Sequence, residues 1–354
     1  MHAGDAPIAA WRTDLLELAF RSASALPNKP HAKTRARLQE SVVSTCLELE
    51  QPRRALSYID AIDNWRRGSS YAELGIFYAT RGKYDQAQSY LRLAQSIAEH
   101  SDAAETQDWQ AARIRAMIDE ASTLAHPMVS GQDFDNRLSS LDHDIAVGEF
   151  EGVRAALQGY AQLHQQHYTN AARRELLEER IHSGWQKTPI QIRFEVQLEL
   201  SANALAHANA DAALTLAGDA RKLIDSVTWT PEDRISLVAR SARAFHRCGD
   251  GARAQAEFRA ALDTYAAEET RIVDIYRADA LRALAEAGQE LGDTPSALEL
   301  YKRAALAGVT NPNSRPRAED LTATCRSLAK TGVEPDSELI ERLMRTESEL
   351  SAPW

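Results

Sequence analysis

The side chains with the clearest chemical potential in this sequence are arginines that recur at matched places. Three segments of the second half align on Gly249, Gly292 and Gly332. In that alignment Arg240, Arg243, Arg282 and Arg326 fall on the helices that precede the glycines, and Arg247 lies one turn beyond Arg243. A guanidinium is a planar fork of donors that stays charged and takes a carboxylate through two parallel hydrogen bonds. A run of such groups on consecutive helices could dock an acidic peptide. Asp279, Glu286 and Glu319 lie among them and could instead neutralise them in a solvated network.

Other chemistries find less support. His164 and His167 share one helical face, with Asp142-His143-Asp144 upstream, and two histidines with a carboxylate can bind zinc. A solvated polar face accounts for the same residues. Asp133, Asp135, Asp142 and Asp144 sit among polar neighbours, whereas paired carboxylates in acid–base catalysis need an apolar pocket to split their pKa values. There is no CxxC, no HExxH and no phosphate loop; Gly148 and Gly152, or Gly288 and Gly292, read as helix punctuation. No serine has a nucleophile's setting. The sequence therefore assigns no catalytic, cofactor-binding or metal-binding residue, and no enzyme is expected.

The elements that must carry the arginines are helices. Pro and Gly number 12 and 16, while Ala, Leu, Glu, Gln and Arg dominate, which favours helix nearly throughout. The pattern is clearest over Arg67–Glu99. There Leu74, Gly75 and Tyr78 share one helical face, Arg81-Gly82-Lys83 breaks the run, and Tyr84, Ala87, Leu91 and Ala94 form a second stripe. Gly75 and Ala87 are small where two antiparallel helices approach, and Tyr78 and Leu91 fill the space around them. Pro189–Leu200 alternates like a strand at Ile190, Ile192, Phe194 and Val196, but Phe194, Gln197, Leu198 and Ser201 continue as a helical stripe, so helix is expected.

This stretch resembles a tetratricopeptide repeat at Leu74, Gly75, Tyr78, Gly82, Tyr84, Ala87, Leu91 and Ala94. Two later pairs resemble it too, through Ala242, Phe245, Gly249, Ala254, Phe258 and Ala261, and through Leu284, Ala285, Gly292, Ala297, Tyr301 and Ala304. The resemblance implies an all-α, right-handed superhelical solenoid of antiparallel helix pairs, with about sixteen helices. It also implies a protein-protein interaction scaffold or adaptor that binds a peptide or partner protein in the concave groove, lined by the first helix of each pair. Some members of the family grip a carboxylate at positions that here hold Ala72, Glu73 and Ile76, so that clamp is missing. Threaded through the later repeats, the same positions give Arg240, Arg243, Arg282 and Arg326, which the resemblance turns inward toward an acidic partner. Gly82–Ile97 also resembles the kinesin light chain subgroup, which would make the chain a cargo- or cytoskeleton-linking adaptor. A peptide-sensing regulator would need a basic recognition helix that Met1–Pro30 does not supply, and an α-helical enzyme is the remaining alternative.

Along the chain, residues 1–30 read as an N-terminal helix and loop, and residues 31–183 as repeats that become irregular from 126. Residues 184–354 read as regular repeats ending in a capping helix at 335–349, with Leu339, Leu343 and Met344 inward. Trp65, Trp109, Trp185 and Trp229, separated by 44, 76 and 44 residues, stand at or just before the first helix of a pair and are expected to staple it to the previous one. The formal charge of −10 argues against general binding of nucleic acid. No apolar run approaches the ~20 residues of a membrane span. The N-terminus lacks a signal peptide's basic start, and Cys46, Cys248 and Cys325 read as isolated core thiols, so a cytoplasmic protein is expected.

Overall fold

The computed structural model describes residues 4–102, 108–125, 131–148 and 150–354. Among them there are seventeen α-helices and no strand. The protein is an all-α array in which helix pairs pack on neighbouring pairs. Its chain divides into two compact units, residues 1–129 with 301–354, and residues 130–300.

The first unit holds α1 (Ala10–Ala25), α2 (Asn28–Glu48), α3 (Pro52–Ile59), α4 (Arg66–Ala79), α5 (Tyr84–Asp102) and α6 (Asp108–Ala125), together with α16 (Ser314–Thr331) and α17 (Ser337–Ser348). Helix α4 packs along α5, and α6 lies against both. Gly75 is small for the reason the spacing suggests: a Cβ there would stand 2.5 Å from Leu91 Cδ2. At the end of α4 the backbone must turn sharply, and Gly82 takes φ 68°, a region that side chains disfavour.

One member of the expected stripe turns out differently. Ala87, Leu91 and Ala94 are buried, but Tyr84 is 42% exposed. It is the first residue of α5, and helical side chains lean toward the N-terminus, so Tyr84 leans past the end of the contact. Tyr90 takes the interior place, stacked with Tyr78 at 5.5 Å and Tyr71 at 6.4 Å. Trp65 and Trp109 meet edge to face at 5.1 Å, joining the start of α4 to the start of α6.

The C-terminal helices pack on each other and on the first helix. Helix α17 buries Leu339 and Leu343 and packs on α16, but α16 makes its most extensive contact with α1. Leu15, Leu16, Leu18, Ala19 and Ala23 of α1 are buried, and Thr322 Oγ1 donates to the Ala19 carbonyl. Met344, expected inward, is 54% exposed, because Leu339, Leu343 and Thr346 complete the buried stripe without it. A repeat reading pairs each helix with its sequence neighbours and cannot see a contact across three hundred residues.

The second unit holds α7 (Gly131–Val147), α8 (Phe150–Gln166), α9 (Ala171–Gly184), α10 (Ile190–Ala206), α11 (Ala210–Asp225), α12 (Pro231–Arg247), α13 (Gly251–Glu268) and α14 (Asp274–Glu290). Helix α15 (Thr294–Gly308) runs across the division between the units. The alternating stretch at 189–200 is helical, within α10. Pairs α10–α11 and α12–α13 are the closest in the unit, and α14 packs on α12 and α13. Side chains of Asn209, Thr230 and Asp250 cap the starts of α11, α12 and α13.

The irregular middle resolves into α7 on α8, α8 on α9, and α8 on α10. Its close approach runs through Gly159, where a Cβ would sit 2.7 Å from Leu141 Cδ2. Asn203 of α10 donates to the Ala161 carbonyl at 2.8 Å and ties α10 to α8. The unit therefore crosses the boundary placed at 183/184, since these helices bury against the regular pairs that follow. The interruption at His126–Ser130 lies outside the described residues.

Candidate functional site

The helical spacing of Arg240, Arg243 and Arg247 puts all three on one face of α12. The opposite face carries Val238, Ala242 and Phe245, which are buried. Beside the arginine face runs a stripe of α10 formed by Leu198, Ala202, Leu205 and Ala206. Together these residues line an open groove of about 570 Å³, whose lining includes Glu199 and Cys248. Its floor is aliphatic and its wall is guanidinium.

The three arginines are held differently. Arg243 Nη1 lies 2.6 Å from Glu286 Oε2, and its Nε lies 2.6 Å from Glu290 Oε2. Arg247 also grips Glu290, donating from Nη2 at 2.9 Å and from Nε. Arg240 has a looser partner, Glu195 Oε1 at 3.6 Å, and lies over the Phe194 ring at 5.1 Å. Burial pulls the Arg240 guanidinium below the usual arginine range, against the pull of Glu195. Burial also works against charge at Arg243, but Glu286 and Glu290 outweigh it and hold its pKa above the ordinary value. Glu290 is held low, because Arg247 and Arg243 outweigh its own burial.

The remaining predicted site residues lie elsewhere. Arg282 is 6% exposed, pairs with Asp279 at 2.8 Å and does not line the groove. Arg326 belongs to the first unit, where its Nε donates to Thr45 Oγ1 at 2.9 Å. Of the expected neutralising acids, Asp279 and Glu286 do pair with Arg282 and Arg243. Glu319, in the first unit, is within reach of Arg37 and Arg315 instead. The sequence reading missed Glu290, although it lies one helical turn beyond Glu286, and it missed the aliphatic floor on α10.

The other positions weighed for chemistry have structural partners. His164 is buried, with Nε2 3.3 Å from Glu178 and Nδ1 3.4 Å from Asn203. His167 packs edge-on against Phe134, and burial, with Arg173 nearby, lowers its pKa. Asp142 accepts from Tyr160 Oη at 2.6 Å and pairs with Arg180. Among the described residues no three His, Cys, Asp or Glu side chains converge as metal ligands would.

The first unit carries a contrasting cluster. Glu73 stands nine residues before Gly82, as Arg240 stands nine before Gly249. Glu73 accepts from Ser44 Oγ at 2.8 Å, and nearby Glu40 accepts from Arg66, Ser69 and Arg113. Burial pushes the Glu73 carboxyl up to about 7, with Ser44 opposing and Glu40 and Glu48 adding to the rise.

No protein-family model matches this chain, and no curated protein matches it. Among solved structures it has a likeness to a "Circular tandem repeat protein with novel repeat topology and enhanced subunit contact surfaces". That protein is 14% identical, over 96% of this chain and 82% of its own, with a TM-score of 0.20. A superposition that loose supports no statement about this protein. The repeat architecture stands on the packing of its own helices.

Proposed function

We propose that this is a non-enzymatic scaffold of the tetratricopeptide type, cytoplasmic, that binds a partner protein through the groove between α10 and α12. The observation that carries this reading is the join of an aliphatic floor with a wall of three arginines. Helical repeat arrays commonly serve protein-protein interaction, and extended segments dock in such grooves. Arg240 and Arg243 are the contact residues of the sequence reading that line the groove, and Arg247 extends them. Arg282 and Arg326 act within the fold. Two further facts support the setting. No described helix is long and apolar enough to cross a membrane. Cys46 and Cys325 are free and buried, and burial raises both thiols, Cys46 to about 12, which suits inert core residues.

The test begins with a photo-crosslinking side chain at Ala202, used in the native host to capture whatever occupies the groove. Binding of the captured partner is then measured by calorimetry against the Arg240→Glu, Arg243→Glu double variant. Loss of binding, with circular dichroism unchanged, supports the reading. Unchanged affinity of that variant overturns it.

A further inference from the structure

The charges around the groove do not add up to a basic surface. Three arginines, Arg240, Arg243 and Arg247, face four glutamates: Glu199 in the lining, and Glu195, Glu286 and Glu290 in ion-pair reach, Glu195 being shared with Arg154 at 3.7 Å. Glu290 engages two of the arginines at once. Its carboxylate occupies the donors that an incoming acidic side chain would need, and it is fixed on α14 at no cost of ordering a ligand. A second or third ligand carboxylate would have to displace Glu290 or lie beside Glu199. Arg240 is different. Its nearest carboxylate stands at 3.6 Å, and its guanidinium lies over the Phe194 ring, 5.1 Å from the centroid. At Arg240, unlike Arg243, burial outweighs the carboxylate partner, so an added anion there relieves a cost. Leu198, Ala202, Leu205 and Ala206 continue from that point as an apolar trough.

Resting on the proposed binding function, we infer that the groove reads a segment of a partner protein bearing one carboxylate next to aliphatic side chains. The carboxylate docks on Arg240 and the aliphatic groups fill the trough. Glu290 acts as a built-in competitor that keeps Arg243 and Arg247 from accepting polyacidic runs. The groove is therefore selective against the ligands that a count of arginines alone would favour.

Two probes separate the possibilities: the capped peptide acetyl-Gly-Ser-Leu-Glu-Leu-Ala-Ser-amide, and hexaglutamate. Each is titrated into the full chain and into Arg240→Gln, Arg243→Gln and Glu290→Gln, with circular dichroism to confirm that the variants fold. The mixed peptide should bind the parent at least roughly 10-fold tighter than hexaglutamate and lose roughly 10-fold in Arg240→Gln. Glu290→Gln should narrow the gap by tightening hexaglutamate. Hexaglutamate binding the parent as well as the mixed peptide does, or Arg243→Gln losing more than Arg240→Gln, overturns this inference and leaves the binding function standing. If neither probe binds the parent or Glu290→Gln, this inference falls, while the binding function is decided by the captured partner. Self-association of the free chain that the mixed peptide reverses would replace the foreign partner with a second copy and overturn the assignment.

Discussion

Glu73 and Arg240 occupy the same place in two repeats, nine residues ahead of the glycine that ends the helix, yet they carry opposite charges and meet opposite surroundings. In the first unit the acid is tucked against Ser44 and a second carboxylate, Glu40, whose charge three donors hold. In the second unit the base opens onto a groove. The repeat fixes where a side chain stands, and the neighbouring helices decide which partners it meets there. The two charges shift in matching ways: burial favours the neutral form of each, raising Glu73 to about 7 and lowering Arg240. Arg240 lines an open groove.

The units also differ in construction, because the second is one contiguous stretch while the first is assembled from both ends of the chain. The largest expected effect tests that difference. Deleting residues 1–27 removes Leu15, Leu16 and Leu18 from their contacts and bares the face of α16. At ~1.5–3 kcal/mol for each buried leucine the loss is about 5–9 kcal/mol, enough to unfold a marginal unit. Two melting transitions, with the lower one shifted or absent, are expected in calorimetry. A melt identical to the parent's would mean that α1 contributes nothing to α16.

The next effect sharpens the contrast between the two charged positions. Glu73 holds its proton to about pH 7, against an ordinary carboxyl value of 4.5. The native state therefore binds more protons than the unfolded state between those values, and stability is lost as pH rises through that window. The contribution is fully present below about 4.5 and gone above about 7, and its size is at most about 3 kcal/mol. Glu73→Gln should flatten this part of the stability profile, measured by urea unfolding at pH 5 and pH 8. A parent profile that already rises across the window would contradict the placement of Glu73.

The small residue seven positions before the turn glycine offers a third comparison. It is Gly75 in the first unit, against Leu91, and Ala242 in the second, where the buried Phe258 stands at the sequence position that matches Leu91 and lies against Gly288. Gly75→Leu should cost ~1–3 kcal/mol, because the added side chain enters space that Leu91 already fills. Thermal melts read this directly, and coincident curves would show that the contact can relax.

The smallest effect concerns the turn itself. Gly249 ends α12 at φ 85°, but the equivalent turn after α10 places Ala208 at φ 58°. A Cβ in that region costs ~1–2 kcal/mol, so Ala208→Gly should stabilise the second unit, by ~1 kcal/mol once glycine's extra unfolded-state entropy is subtracted. A destabilised variant would mean that the turn is not strained.

Much of the fold was legible because it is local. The 3- and 4-residue spacings of Leu74, Tyr78, Ala87, Leu91 and Ala94 need only helical geometry, and the turn at Gly249 only a left-handed residue. The misreadings at Tyr84 and Met344 share a cause: both lie on helical stripes, but burial depends on where the neighbouring helix stops. The site was half legible. Arg240, Arg243 and Arg247 share a face by spacing alone, and the structure brings them together. Arg282 stands at an aligned position but is buried beside Asp279, and Arg326 donates to Thr45, because an alignment carries register and not the identity of the helix opposite.

The sequence by itself determined that this chain is helical, where its helices break, and which residues share each face, since those follow from propensity and a 3.6-residue period. Tertiary structure alone decided that α1 packs on α16, that Glu290 holds two arginines while Arg240 keeps a loose partner, and that Glu73 is buried enough to keep its proton near neutrality. Each of those depends on which surfaces meet across long separations in the chain, and no local period encodes that.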